Sequence, residues 1–184
     1  MSERWTNTAN DKGELSEMLI QSLIETAVKQ LRFSYTPYSH FKVGAALLAA
    51  DGTIYTGCNI ENAAYTPTNC AERTAFFKAV SEGVRDFRAI CIVGGMNGVL
   101  SGYTAPCGVC RQVMMEFCDP ETFQIILAAA DGKYKIYRLK ELLPEGFGPD
   151  NLLFPAIFEV NKMVNSIEDV FEVVFRCYFY VAGQ

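Results

Sequence analysis

Apolar residues set the rhythm of the chain. Leu19, Ile20, Leu23, Ile24, Ala27, Val28 and Leu31 recur three and four positions apart, so about 13–32 is expected to form an amphipathic helix. Pro37 closes that region, because the residue before a proline is pushed out of the helical range. The period then changes. Phe41 begins a nearly unbroken apolar run to Ala50, followed by Asp51-Gly52 and the stretch Thr53–Asn59. Asp-Gly between two such runs predicts strand, tight turn, strand. Residues 59–69 read as loop, and a helix is expected from near Cys70 to about Ser81, stopped by Gly83. Phe87 to Gly94 is short, apolar and rich in β-branched residues, which predicts a buried strand. Pro106 opens a second helix over about 107–118. Phe123–Ala130, the turn Asp131-Gly132 and Tyr134–Leu139 read as strand, turn, strand, with a short helix or turn over Lys140–Pro144. Helices alternating with apolar strands predict a three-layer α/β/α domain around a mixed central sheet of about five strands.

The two ends differ from this pattern. Residues 1–12 are polar and are expected to be a flexible extension. Near the other end Ile157, Val160, Val164, Ile167, Phe171 and Val174 share one helical face, which predicts a partly helical extension over 153–184 beyond a domain at 13–152. Glu159, Lys162, Glu168, Asp169, Glu172 and Arg176 interrupt its apolar run, so it does not read as a membrane span.

Composition narrows the function classes. A chain of 184 residues, half of them hydrophobic, is long enough for one core. Its net charge of −5 argues against a polynucleotide partner, which needs a basic face, but not against a small uncharged nucleoside. The first residues contain no apolar run, so no signal peptide or anchor is expected. Seven cysteines without framework spacing point to reduced thiols and a cytoplasmic setting. Cys58, Cys91, Cys118 and Cys177 lie among apolar neighbours and are expected in the core.

The other three cysteines carry the candidate chemistry. Cys70-Ala71-Glu72-Arg73 and, downstream, Pro106-Cys107-Gly108-Val109-Cys110-Arg111 fit the pattern of a zinc deaminase. Three thiolates leave the fourth tetrahedral position of zinc to water, and a carboxylate that is not a ligand can serve as acid and base. Both stretches are expected at helix N-termini, where free amides and the helix dipole favour thiolates. Three thiolates outweigh the metal's charge, and Arg73 or Arg111 could offset the excess by hydrogen bonds to sulfur; Arg73 is the favoured one. Plainer readings stand beside these. A Cys-x-x-Cys alone is as well read as a redox pair or half a structural site. A purely structural zinc site would need a fourth ligand, for which His40 and Cys58 are the candidates. Position alone would make Phe41 core and Glu61 a solvated loop charge.

Over about Leu15 to Leu152 the chain resembles the cytidine deaminases, of the homotetrameric type with three cysteine ligands. The resemblance rests on Tyr38-Ser-His-Phe-Lys-Val-Gly-Ala-Ala46, Gly57-Cys-Asn-Ile-Glu-Asn-Ala63, Cys70-Ala-Glu-Arg-Thr-Ala75, Ala79-Val-Ser-Glu-Gly83, Pro106-Cys-Gly-Val-Cys-Arg-Gln112 and Glu141-Leu-Leu-Pro144. It implies zinc-dependent hydrolysis of cytidine and 2′-deoxycytidine to the uridines and ammonia, in pyrimidine salvage. It implies one zinc per chain on Cys70, Cys107 and Cys110, with Glu72 as the proton shuttle. Asn59 and Glu61 would hold the ribose 3′-hydroxyl, Phe41 would stack on the pyrimidine, the Ala71 amide would meet the base carbonyl, and Arg73 would bond ligand sulfurs. Tyr65 and Phe147 match positions that complete a neighbouring subunit's site. The family pattern usually stops soon after a segment like Phe147–Leu152, so the C-terminal extension is atypical. A deaminase for another aminopyrimidine nucleoside such as blasticidin S, a polynucleotide deaminase, and a zinc-stabilised scaffold are the competing readings. The Asn59-x-Glu61 pair favours an ordinary ribose over the first, and the acidic balance disfavours the second.

Overall fold

The structure, a computed structural model, describes residues 15–151. Helix α1 spans Glu17–Gln30, and Ser16 caps it by accepting from the Leu19 amide at 3.3 Å. A single 3-10 turn, Leu31–Phe33, ends it before Pro37. The Asp51-Gly52 turn joins β1 (Phe41–Ala49) to β2 (Ile54–Cys58), with Gly52 at φ +91. There follow α2 (Ala71–Ser81), β3 (Phe87–Met96), α3 (Gly108–Phe117), β4 (Gln124–Ala128), β5 (Tyr134–Arg138) and the short α4 (Leu139–Leu142). All the sequence-predicted elements within these residues are present. The first helix starts at residue 17 rather than about 13, and β3 runs two residues past Gly94.

The sheet order is β2-β1-β3-β4-β5. β1 is antiparallel to both β2 and β3, so those two strands point the same way, and β4 runs parallel to β3. The two crossovers, through α2 and then α3, therefore move in the same direction along the sheet. Right-handed connections place both helices on one face. Alternation along the strands agrees. Ala45, Leu47, Ile90, Ile92 and Ile125 pack with α2 and α3 around Phe76, while Ala46, Leu48, Ala89, Cys91 and Val93 pack with α1 on the other face.

Two glycines set the closeness of these layers. A Cβ on Gly44 would lie 2.1 Å from the Ala27 carbonyl oxygen, and one on Gly57 would lie 2.1 Å from that of Ala71. Hence α1 rests directly on β1, and the first turn of α2 rests on β2.

Cys91 and Cys118 are buried, whereas Cys58 is partly exposed because β2 is an edge strand; Cys177 lies outside the described residues. So do the predicted N-terminal extension and the amphipathic segment after residue 152. The chain divides at Phe147/Gly148, and of the second part the described residues form a 3-10 turn at Pro149–Asn151.

Candidate active site

The strand directions bring four points of the chain to one edge of the sheet. These are the start of β1 at Phe41, the segment leaving β2 at Asn59, and the N-termini of α2 and α3. Cys70 is the N-cap of α2 and Cys107 that of α3. Cys110, one turn into α3, is buried. Although 37 residues separate them, Cys70 Sγ and Cys107 Sγ lie 3.8 Å apart. Cys107 Sγ and Cys110 Sγ are 3.5 Å apart, and all three sulfurs lie within 4.8 Å of one another.

This spacing tests the zinc assignment. Tetrahedral zinc–thiolate bonds of about 2.3 Å require sulfurs about 3.8 Å apart. Cys107 stands at about that distance from both other sulfurs, and Cys70 and Cys110 lie within 4.8 Å of each other, so the three thiols fit one such ion. Among the described residues neither His40 nor Cys58 joins this group, so the fourth-ligand alternatives for a closed site are not met there. His40 is instead exposed at φ +55, its amide bonded to the Thr36 carbonyl.

Electrostatics within the trio favour one ionised sulfur before any metal. The Cys70 thiol is lowered to about 5, first by a hydrogen bond from Cys110 and then by Arg73 and Cys107. The donor, Cys110, is correspondingly pushed above the ordinary thiol range. Three proximate thiols cannot all ionise without a cation to hold them.

Glu72 follows in the first turn of α2 and is 4% exposed. Burial pushes its carboxyl up to about 7, and the negative Cys70 adds to the effect. Such a group gains and loses a proton near neutral pH, which suits acid–base work.

Arg73 points back over the ligand loop. Its Nη2 donates to the Thr68 carbonyl at 3.0 Å and to Cys70 Sγ at 3.7 Å, and its buried Nε has no hydrogen-bond partner. Arg111 is occupied otherwise. Nε donates to the Pro106 carbonyl at 2.8 Å and Nη1 to that of Leu142 at 2.7 Å, tying α3 to α4. Of the two arginines, the one the sequence favoured is the one against sulfur.

The candidate clamp residues flank Phe41. The Asn59 side chain accepts from the Val43 amide and donates to the Phe41 carbonyl, both at 2.8 Å. Glu61 accepts from the amides of Tyr38 and Ser39 at 3.0 and 3.2 Å. Its carboxyl is held below the usual range, first by the Ser39 side chain. The Phe41 ring lies over Gly94, whose added Cβ would meet Phe41 Cε1 at 3.0 Å and the Thr104 hydroxyl at 2.7 Å. Ala71 is fully buried beneath this edge. Tyr65, at φ +59, and Phe147 are both exposed, and Gln112 Nε2 donates to the Phe147 carbonyl at 2.8 Å.

Sequence reasoning missed a fastening beneath the metal ligands. The Thr74 hydroxyl lies 3.1 Å from the Cys58 carbonyl and 3.2 Å from that of Cys70, and accepts from Asn69 Nδ2 at 3.1 Å. Asn69 also exchanges backbone bonds with Ile60, both at 2.9 Å. Only the threonine four residues after an N-cap is a local signal, since its hydroxyl can reach back one turn.

Comparison with known proteins places this geometry. Residues 18–126 match the family described as the cytidine and deoxycytidylate deaminase zinc-binding region. A cytidine deaminase of Sporosarcina psychrophila is 50% identical over 139 residues, covering 76% of this chain and 98% of the relative. One from Halalkalibacterium halodurans is 46% identical over 132 residues, covering 72% and 96%. The crystal structure of a cytidine deaminase from Burkholderia pseudomallei superposes with a TM-score of 0.64 at 44% identity, over 72% of this chain and all of that one.

Proposed function

The chain belongs to the cytidine and deoxycytidylate deaminase family, and on that footing we propose that it hydrolyses cytidine and 2′-deoxycytidine to uridine and 2′-deoxyuridine. The observation that carries the reading is three thiols within 4.8 Å of one another beside a buried carboxyl that titrates near 7. Zinc on Cys70, Cys107 and Cys110 supplies the Lewis acidity that brings the ionisation of a water toward neutral pH. Glu72 takes a proton from the attacking water and delivers it to N3 of the base. As water oxygen adds at C4 and the amine departs, Glu72 carries the second proton to the leaving nitrogen, so water is consumed and ammonia released. Its burial supports this, because a carboxylate in contact with bulk water would not hold a proton near pH 7.

The remaining residues bind and orient. Phe41 stacks on the pyrimidine. The Ala71 amide, free at the start of α2, donates to the base carbonyl. Asn59 and Glu61 take the ribose 3′-hydroxyl, rejecting ligands that leave them unpaired. Arg73 drains negative charge from the ligand sulfurs.

The acidic chain favours a nucleoside over a polynucleotide. Thiolate ligands favour a reducing, cytoplasmic setting and a salvage role. Among the described residues no helix is long and apolar enough to cross a membrane. Exposed Tyr38, Ile60, Tyr65 and Phe147 near the site support a homotetramer in which Tyr65 and Phe147 reach a neighbour's site. The deaminase domain is taken as 13–152, flanked by the extensions 1–12 and 153–184.

Loss of ultraviolet absorbance with cytidine, run beside zinc analysis and light scattering, tests these points. One zinc per chain with steady turnover of cytidine is expected, at four times the chain mass. Zinc-loaded protein without turnover would overturn the activity, and a monomer with full turnover would overturn the shared site.

A further inference from the structure

We propose that Asn59 is a positioning residue for the base as well as a binding residue for the sugar, because its side chain sets the position of Phe41. The inference rests on the nucleoside-deaminase reading above and deepens it.

The regular β1–β2 ladder ends at the pair Gly44 and Cys58. Beyond it the chain turns away from β1, and only the Asn59 backbone amide reaches back, to the Val43 carbonyl at 3.2 Å. The Asn59 side chain then takes the place of the next peptide of β2. Its oxygen accepts from the Val43 amide and its nitrogen donates to the Phe41 carbonyl. An amide group presents one acceptor and one donor side by side, as a peptide does, so it continues the edge ladder where β2 has departed. Without it, Phe41 would be held by β3 alone on one side, with its amide on the Ser39 hydroxyl at 3.0 Å. The strand end that presents the stacking ring is therefore pinned by the residue that reads the sugar.

The ring has little freedom to absorb a shift. It sits over Gly94 beside Thr104, where even a methyl on Gly94 would meet it. Movement of the Phe41 backbone therefore changes the height and tilt of the ring instead of being taken up by a side-chain rotation. One amide can do both jobs. With one bond from each end, it keeps a lone pair and an N–H for the hydroxyl. The bonds to β1 also fix which way round the amide faces.

The two roles separate with a substrate that lacks the sugar contact. On 3′-deoxycytidine a pure hydroxyl clamp has nothing to lose, so Asn59→Ala should match the parent enzyme. A positioning residue still matters there, and a misplaced reacting group costs about ten- to a hundredfold. We therefore expect kcat/KM of Asn59→Ala on 3′-deoxycytidine to fall by at least about tenfold with zinc content unchanged. The same substitution in a Phe41→Ala background should cost less than about twofold, since the ring through which Asn59 acts is gone. Asn59→Asp keeps the acceptor for Val43 but sets an oxygen against the Phe41 carbonyl, and should show the same pattern if the alanine variant does not fold. Equal kcat/KM for parent and variant on 3′-deoxycytidine overturns the proposal. So does an equal loss with and without Phe41, which would mark a general structural defect. A parent enzyme that turns over neither cytidine nor 3′-deoxycytidine would instead overturn the function on which the inference rests.

Discussion

Glu72→Gln separates the proton chemistry of the site from its packing. Glutamine has nearly the volume of glutamate, so a 4%-exposed position can accept it without a cavity. What changes is charge. In the zinc-free protein burial lifts the Glu72 carboxyl from 4.5 to about 7, which corresponds to about 3 kcal/mol of penalty on the charged form. The folded protein holds this proton to higher pH than the unfolded chain does. The stability from the group is thus fully present below pH 4.5 and is lost as pH rises through 7. Glutamine has no such loss. Cys70 works in the opposite sense, its lowered thiol adding stability as pH rises, but it does so in both proteins. Urea unfolding of zinc-stripped, reduced parent and variant from pH 4.5 to pH 8 isolates the difference. The variant should gain over the parent by about 3 kcal/mol across that window, with little gap at the acid end. A gap that does not vary with pH would refute the burial argument. With zinc restored, the same variant should bind a full equivalent of metal and lose about 10²–10⁴-fold in kcat. Near-normal turnover would remove Glu72 from the proton path whatever the unfolding curves show.

Other predictions test other parts of the site. Arg73→Ala should weaken zinc retention and move the acid limb of the pH–rate profile upward, because a donor to Cys70 Sγ is lost; Arg73→Gln should be milder, and unchanged zinc content and profiles in both would refute charge compensation. Free cytosine and 3′-deoxycytidine should be poor substrates, with about 1–3 kcal/mol lost when the half-buried Asn59 amide is covered by substrate without a partner; equal efficiency on cytidine and 3′-deoxycytidine would refute the clamp. Cytidine monophosphate should also be poor, since the Glu61 carboxylate stays ionised and repels phosphate. Gly44→Ala should lower the melting temperature, because its Cβ would meet the Ala27 carbonyl and force α1 off β1, at a cost of about 1–3 kcal/mol; an unchanged melting temperature would show that this approach is looser than described.

Much of this was legible in the sequence, for local reasons. Asp51-Gly52 between apolar runs names its own turn, and the three-and-four spacing from Leu19 to Leu31 names its helix. The ligand cysteines were legible because zinc chemistry demands particular residue types at short spacing. What was hidden depends on pairs distant in the chain. Asn59 reads as a loop residue, yet half of its side-chain bonding capacity is spent on Phe41 and Val43, 18 and 16 positions earlier. Arg73 and Arg111 stand in equivalent places after Glu72 and Cys110. What parts them is which carbonyls lie within reach, Thr68 for one and Leu142 for the other. Cys58 looked like core from its neighbours, but no local pattern says that its strand lies at the edge of the sheet.

The order of strands explains why the residues proposed for metal, base and sugar meet at all. Because β2 and β3 run the same way and both lead into helices on the same face, the N-termini of α2 and α3 emerge side by side at one sheet edge. Open α/β sheets bind their ligands outside such strand ends. β1 lies between β2 and β3 but runs in reverse, so the end that reaches this edge is its beginning, which carries Phe41. Phe41, the proposed base-stacking residue, is thus delivered between the two ligand-bearing connections by an antiparallel strand. That arrangement has a weak point. A strand that starts at the site has no preceding strand residues to hold it, and its neighbour β2 has already left for Cys70. The Asn59 amide fills the gap, and Thr74 ties the departing segment to Cys70 through the Cys58 and Cys70 carbonyls. A displacement of residues 58–61 would therefore reach Phe41 through Asn59 and the first ligand through Thr74. The connection between β2 and α2 therefore ties together the residues proposed to hold the sugar, the base and the metal.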